Sequence, residues 1–167
     1  MIKDTYRLWQ FFLFIISFSV FYASLYFQFV QDLQPCPLCL MQRGCVFVAV
    51  ITSLIGVFMG RRRGGNVLLI MQMIIAVAGL YFATRQIWLQ SLPADQMPAC
   101  LPGFEVLIRY FPWRDILYAL VWGAADCGEV TWQWLGLSMP AWAALYFAGL
   151  FIGAFITRYF LRQTRTL

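Results

Sequence analysis

The 167-residue sequence contains no histidine, and its charged residues amount to only 11% of the chain. About a quarter of the residues in a soluble domain are charged, so this composition excludes an ordinary soluble domain. The absence of histidine removes a common ligand of zinc and of haem iron. Neither GxGxxG nor GxxxxGKS/T occurs, so the glycine-rich motifs that hold dinucleotides and nucleoside triphosphates are missing as well.

Apolar residues, in contrast, make up 62% of the chain and form four long runs without charge. A helix needs about 20 mostly apolar residues to cross a bilayer, and each run can supply one crossing. The sequence therefore predicts an all-α membrane protein, a four-helix transmembrane bundle in which residues 1–167 form a single integral membrane domain. The helices are expected at about residues 8–30, 37–59, 66–92 and 140–160, and two loops on one side at about 31–36 and 93–139.

The charged residues indicate how this bundle is oriented. Basic residues cluster in the N-terminus, in the connection between the second and third helices, and in the C-terminus: Lys3, Arg7, Arg61, Arg62, Arg63, Arg158, Arg162 and Arg165. These segments share one side if the chain crosses four times, and lysine and arginine mark the cytoplasmic side. Both termini are therefore predicted to be cytoplasmic. The same placement accounts for the net charge of +5 without a nucleic acid partner.

The second outer loop is long and contains a segment with helical periodicity. Within FPWRDILYALVWG, apolar residues recur at helical spacing: Trp113, Ile116, Leu117, Leu120 and Val121. The segment is too short to cross a bilayer. It predicts a short amphipathic helix that either lies on the membrane surface or packs its apolar face on the bundle.

Four of the five cysteines fall in or beside the predicted outer loops, where disulfides persist. Cys100 and Cys127 in the second loop could form a structural disulfide. Cys36 and Cys39 form a CxxC pair, which is a poor staple because it closes so small a ring, and which is frequently a redox centre. A closed zinc site normally has four Cys or His ligands. Since no second close pair exists, no metal site is predicted.

The motif PCPLCLMQR places this pair beside a cation. Cys39 lies in the first turn of a helix that begins near Pro37, and Arg43 follows four residues later on the same face. A helix start and a nearby cation both favour the reactive thiolate. An arginine this close to hydrocarbon is costly without a partner. We therefore interpret Arg43 as the partner of the Cys39 thiolate; a structural arginine that reaches the head groups is the alternative.

A dithiol at the edge of a bilayer needs an electron acceptor. Because motifs for nucleotide and flavin are missing and no histidine is available for haem, the simplest remaining acceptor is a quinone dissolved in the membrane, ubiquinone or menaquinone. Arg43 and Gln42 could hydrogen-bond a quinone carbonyl and stabilise the charge that develops on it.

Three features together closely resemble the DsbB family of disulfide-bond formation proteins. They are PCPLCLMQR after the first helix, Cys100 and Cys127 in the second outer loop, and WQWLGLSMPAW before the fourth helix. The resemblance covers nearly the whole chain. It implies a quinone-dependent thiol:disulfide oxidoreductase of the bacterial inner membrane, with active loops in the periplasm, that re-oxidises a soluble DsbA-type thiol oxidant.

Carried over by position, the resemblance also implies a relay through the two cysteine pairs. The partner's thiolate would attack Cys100, and the released Cys127 would exchange with Cys36. Cys39 would be left as the thiolate that faces the quinone, with Arg43 assisting. The long second loop would present Cys100 to the partner and then move Cys127 towards Cys36.

Other interpretations are compatible with parts of the sequence pattern. The chain could serve a specialised partner within the same family, or it could be a non-catalytic membrane scaffold with structural disulfides. The vitamin K epoxide reductase type is disfavoured because its CxxC follows the loop pair, whereas here it comes first. Cys45 is expected to be a small core residue, and Arg85 to reach the head groups or to line the quinone site.

Overall fold

The computed structural model describes residues 2–59, 64–93, 96, 106 and 109–163, with side chains from Tyr6 onward. In chain order the elements are α1 (Ile2–Phe29), α2 (Pro37–Met59), α3 (Gly65–Gln90), α4 (Trp113–Trp122), a 3-10 turn (Ala125–Gly128), β1 (Gln133–Trp134), β2 (Leu137–Ser138) and α5 (Met139–Gln163). Among these residues, four helices are long and apolar enough to cross a bilayer. The predicted fold class is confirmed.

The four long helices present the surface that a bilayer requires. Helices α1, α2, α3 and α5 provide spans of 24, 23, 26 and 25 residues. At about 1.5 Å per residue, each span exceeds the roughly 30 Å of a hydrocarbon core. Many large apolar side chains on these helices face outward, for example Phe12, Ile16, Phe58, Ile74 and Phe155. The protein is a multi-pass membrane protein.

The bundle interior is built where α3 packs along both α2 and α5, and α1 packs along α2. A buried apolar cluster at its centre contains Leu13, Val46, Ala49, Ala76, Phe147 and Leu150. Small residues let the backbones approach closely, as is common in membrane bundles. At Gly79 of α3, an added Cβ would lie 2.3 Å from the Phe147 ring of α5. This contact sets the separation of the two helices.

Buried polar side chains also link the helices. Gln72 Nε2 donates to Gln10 Oε1 at 2.9 Å and to Ser53 Oγ at 3.1 Å, so one amide joins α3 to α1 and α2. The Tyr146 hydroxyl donates to Ser17 Oγ at 2.7 Å and joins α5 to α1. Interhelical hydrogen bonds of this kind contribute about 0.6 kcal/mol each on average. They also satisfy polar groups that lipid tails could not.

The short helix expected in the second loop is present as the ten-residue α4. Ala119 is buried on one side, and α4 packs on α2. Its opposite side exposes large apolar and aromatic residues: Trp113, Leu117, Tyr118, Val121 and Trp122. One side of α4 thus rests on the bundle, while its contact with the membrane surface stays a prediction.

The aromatic segment before α5 forms a β-hairpin that the sequence analysis did not predict. Strands β1 and β2 pair antiparallel, with Trp134 opposite Leu137. The two turn residues, Leu135 and Gly136, have φ of 52° and 77°, as a type I′ turn requires. Trp142 Nε1 donates to the Trp134 carbonyl at 3.2 Å. The hairpin is therefore folded back on the first turn of α5.

Replacing Gly79 by Ala should lower the thermal unfolding temperature of the detergent-solubilised protein. The new methyl group would overlap the Phe147 ring, and forcing extra volume into a packed core costs about 1–3 kcal/mol. Gly149 of α5 is the matched control, because a Cβ there meets nothing within 4 Å. Gly149→Ala should leave stability unchanged or slightly higher. An equal loss in both variants would contradict the close α3–α5 contact.

Candidate thiol site

Cys36, Cys39 and Cys127 lie together at the end of the bundle where α2 begins. Cys36 Sγ is 3.0 Å from Cys39 Sγ, and the Cys36 side chain also hydrogen-bonds Cys127. All three are thiols, and Cys127 is fully buried. Leu38, Phe82 and Leu89 surround them. We call these three residues the thiol cluster.

The start of α2 positions the CxxC pair. Cys36 directly precedes the helix, and its carbonyl accepts the Leu40 N–H at 3.1 Å. Pro37 is the first helical residue, where its missing N–H costs no hydrogen bond. Cys39 therefore lies in the first turn, where unpaired N–H groups and the helix dipole favour a negative charge.

Cys127 reaches α2 because the chain makes a tight turn after α4. Gly123 ends α4 with φ of +82°, and an added Cβ there would lie 2.7 Å from Leu89 and 2.8 Å from Leu38. Glycine suits both the left-handed backbone and the close approach. The 3-10 turn follows, with the Cys127 N–H bonded to the Ala124 carbonyl at 3.0 Å.

Arg85 of α3 holds the C-terminal end of α4 in this position. Its Nε donates to the Trp122 carbonyl at 3.1 Å, and its guanidinium lies 4.2 Å from the centre of the Trp88 ring and 5.4 Å from that of Trp122. Tyr81 adds a hydrogen bond to the Val121 carbonyl at 3.4 Å. The last carbonyls of a helix lack hydrogen-bond donors within the helix. Here α3 supplies the donors, through Arg85 and Tyr81. The sequence analysis missed this role of Arg85.

The contact between Cys36 and Cys127 makes the two thiols unequal. The hydrogen bond from Cys36 lowers the pKa of Cys127, because it stabilises the Cys127 thiolate, and backbone hydrogen bonds from Ala124 and Leu38 act in the same direction against the effect of burial. The same contact with Cys127 raises the pKa of Cys36. Of this pair, Cys127 is therefore the better thiolate and leaving group.

Arg43 reaches across to α1. Its Nη2 donates to the Ser24 carbonyl at 3.0 Å, and its Nη1 donates to Gln28 Oε1. The buried Nε has no acceptor among the residues that the structure describes. Arg43 and Cys39 also interact electrostatically. Arg43 thus has an unused donor beside the CxxC pair, and its partners on α1 were missed from the sequence.

Gln42 points into the bundle and contacts a second glutamine. Its Nε2 donates to Gln86 Oε1 at 2.8 Å. Gln86 Nε2 in turn lies 3.2 Å from Cys39 Sγ and 3.5 Å from Cys36 Sγ. The sequence analysis missed Gln86, although a glutamine within an apolar membrane helix is itself a signal of a polar partner. The predicted contact between Gln42 and a quinone stays a prediction.

Cys45 and Cys100 are not part of the thiol cluster as the structure describes it. Cys100, predicted to meet the partner, lies outside the described residues. Cys45 is half-buried and packs against the apolar clusters in the bundle, as a small core residue does.

The four membrane-spanning helices and the thiol cluster at one end of the bundle place the protein in the class of membrane proteins with thiol chemistry. A family model described as disulfide bond formation protein DsbB matches residues 6–157. Disulfide bond formation protein B of Marinobacter nauticus is 41% identical over 145 residues, 86% of each chain. The protein of that name from Hahella chejuensis is 41% identical over 127 residues, 75% of this chain and 77% of the relative.

Disulfide bond formation protein B 1 of Pseudomonas aeruginosa is 34% identical over 156 residues, 90% of this chain and 94% of the relative. The chain belongs to the DsbB family, and the resemblance seen in its motifs is confirmed. It is a membrane thiol oxidoreductase of disulfide bond formation.

Replacing Arg85 by Gln should slow disulfide formation between Cys36 and Cys127 about threefold to tenfold. The α4 end would lose one hydrogen bond and two ring contacts, and a cation–π contact alone contributes about 0.5–2 kcal/mol. The measurement uses a Cys39→Ser, Cys100→Ser background, mild oxidation with diamide, and gel mobility after thiol alkylation.

Arg158→Gln is the control for this experiment. Arg158 also donates through Nε, to Asn66 Oδ1 at 3.1 Å, but at the opposite end of the bundle. It should leave the cross-linking rate unchanged. Equal rates in the Arg85 variant and in its parent would show that Arg85 does not hold the second loop.

The pKa of Cys127 should depend on a hydrogen-bond donor at position 36. We expect Cys127 to titrate at a higher pH with Cys36→Ala than with Cys36→Ser, since serine can still donate to the thiolate. Thiolate absorbance near 240 nm measures this, in a background where Cys39, Cys45 and Cys100 are replaced so that Cys127 is the sole thiol. Identical titrations would mean that the contact with Cys36 does not act on Cys127.

Proposed function

We propose that the protein re-oxidises a soluble DsbA-type thiol oxidant and passes the electrons through its two cysteine pairs to a membrane quinone. The observation that carries this proposal is the thiol cluster. Cys127 of the second loop hydrogen-bonds Cys36, which lies 3.0 Å from Cys39 at the start of a membrane-crossing helix. Adjacent sulfurs of this kind suit successive thiol–disulfide exchange.

The distribution of charge supports a periplasmic location for the cluster. Arg7 Nε donates to the Val57 carbonyl near the end of α2, and Arg158 bonds Asn66 near the start of α3. These arginines share the end of the bundle opposite the cysteines. Since basic residues favour the cytoplasm, we propose that both termini are cytoplasmic and that the protein resides in the bacterial inner membrane.

The proposed relay moves two electrons by exchange of sulfur–sulfur bonds. A partner thiolate attacks Cys100, the bond between Cys100 and Cys127 breaks, and Cys127 leaves as a thiolate. The backbone hydrogen bonds from Ala124 and Leu38, which lower the pKa of Cys127, stabilise the leaving thiolate. Cys127 then attacks Cys36, and Cys39 leaves as a thiolate. The partner's second thiolate attacks its own sulfur in the mixed disulfide and releases Cys100, and the Cys100 thiolate attacks Cys127 and releases Cys36. In sum, two partner thiols become a disulfide, the bond between Cys100 and Cys127 is restored, and the disulfide between Cys36 and Cys39 becomes two thiols.

The surroundings of Arg43 fit a quinone. Its Nε is a buried donor without an acceptor among the described residues, which costs free energy, and a quinone carbonyl oxygen would satisfy it. Gln42 gives one of its two amide N–H groups to Gln86, which leaves the other available. A bound quinone would accept two electrons and two protons as the Cys36 and Cys39 thiols become a disulfide. Arg43 would hold it beside Cys39.

The test is quinone reduction, followed by absorbance, after a reduced DsbA-type partner is added to purified protein in detergent. The wild type should reduce quinone, and Cys39→Ser and Cys100→Ser should each abolish the reaction because each removes one end of the relay. Arg43→Leu should lower kcat/KM for quinone about 100-fold, the usual scale for loss of one positioned donor.

Cys45→Ser serves as the control, because Cys45 packs as a core residue and takes no part in the relay; its rate should match the wild type. If the wild type leaves quinone oxidised while its cysteines stay disulfide-bonded, the proposal fails. The chain would then be a scaffold with structural disulfides.

A further inference from the structure

The side chain of Gln86 contacts both sulfurs of the CxxC pair, and no step of the proposed relay uses it. Its Nε2 lies 3.2 Å from Cys39 Sγ and 3.5 Å from Cys36 Sγ. Gln86 is only 4% exposed and Gln42, its partner on α2, only 7%. The two amides thus form a buried pair between α2 and α3, directly beneath the reactive sulfurs.

We propose that Gln86 stabilises the reduced Cys39 as a thiolate, that Gln42 orients it for this purpose, and that the two together set the reduction potential of the Cys36–Cys39 pair. This inference deepens the proposed function and rests on it for the use of Cys36 and Cys39 as a redox couple. Gln86 contacts the reacting atoms themselves. Gln42 acts through Gln86 and is a positioning residue.

Gln42 decides which end of the Gln86 amide meets the sulfurs. A carboxamide carries a donor and an acceptor of similar shape, so its orientation follows from its hydrogen bonds. Gln42 Nε2 donates to Gln86 Oε1 at 2.8 Å. Because the oxygen faces Gln42, the Nε2 end of the Gln86 amide faces Cys39. A reversed amide would place two N–H groups against each other in a buried site, which is unfavourable.

The same amide suits both protonation states of Cys39. The thiolate accepts from Gln86 Nε2 at 3.2 Å, and the thiol is able to donate to Gln86 Oε1 at 3.5 Å. The hydrogen bonds of Arg43 go to Ser24 and Gln28 on α1, whereas Gln86 hydrogen-bonds Cys39 directly. Arg43 contributes its charge, while Gln86 contributes the direct hydrogen bond.

A group that stabilises the reduced thiolate makes its disulfide a stronger oxidant. Hydrogen bonds to charged acceptors are roughly twice as strong as neutral ones. We expect Gln86→Leu to make the pair about tenfold harder to reduce, which for a two-electron couple is about 30 mV towards a more negative potential. Alkylation of Cys39 at neutral pH should slow about fivefold, because less of it is thiolate.

The experiment measures this equilibrium in the full-length protein without partner or added quinone. Cys100→Ser and Cys127→Ser leave Cys36 and Cys39 as the only close pair. The detergent-solubilised protein is equilibrated in glutathione buffers of stated ratio, and the reduced fraction is read from alkylation and mass. Gln42→Leu should shift the equilibrium in the same direction by a smaller factor.

Gln72→Leu is the matched control. Gln72 is also a buried glutamine of α3 that bonds another glutamine, but its partners are Gln10 and Ser53. It should lower thermal stability and leave the equilibrium with glutathione unchanged. If Gln72→Leu shifts the equilibrium as much as Gln86→Leu does, the effect is structural and the inference is overturned.

Gln86→Glu is a second variant, which tests the same contact if Gln86→Leu does not fold. It keeps the size and polarity of the side chain and places a carboxylate beside Cys39, so it should also make the pair harder to reduce. A folded variant of either kind with an unshifted equilibrium overturns the inference.

The outcome is independent of the test of the proposed function. If the wild type fails to reduce quinone but Gln86→Leu still shifts the equilibrium, the relay is wrong and the effect of Gln86 on the thiols stands. If the wild type reduces quinone and the Gln86 variants show no shift, the relay stands and the role of Gln86 falls.

Discussion

The inability of a bilayer to hydrogen-bond a polar group is the constraint on which this structure depends. A polar side chain inside the bundle is therefore stabilised when it finds a partner in the protein. Gln72 meets this demand with Gln10 and Ser53 in the centre of the bundle. Gln42 and Gln86 meet it beneath the cysteines. The same requirement that links the helices therefore also places an amide against the sulfurs of Cys36 and Cys39, at a separate set of contacts.

The second loop is not subject to this constraint in the same way, because it lies outside the membrane-spanning helices. The position of α4 and of Cys127 depends on contacts at a few residues. Chief among them are the turn at Gly123 and the hydrogen bond from Arg85 to the last residue of α4. A loop of this length would otherwise sample many positions. These contacts bring Cys127 to Cys36 while most of α4 stays exposed. In the described part of the loop, the end of α4 is held against the bundle while most of α4 is exposed, which suits the proposed role of meeting both a soluble partner and the bundle.

The fold was predictable from the sequence, because four long apolar runs admit few other arrangements. The approach of Cys36 and Cys39 was predictable from their spacing alone. Gln86 was not, because it lies 47 residues from Cys39 and only helix packing brings them together. The hairpin was missed because its turn has Leu135 at positive φ, where asparagine or aspartate is the usual signal.

Gly123 also limits how far Cys127 can travel. Cys127 follows it by only four residues, so its sulfur is confined to a small volume around Cys36. Confinement on this scale corresponds to an effective concentration in the millimolar range or above. A soluble thiol at lower concentration would compete poorly for Cys36, whatever its intrinsic reactivity. Within the proposed relay, the turn would therefore favour exchange inside the protein over reaction of Cys36 with small thiols.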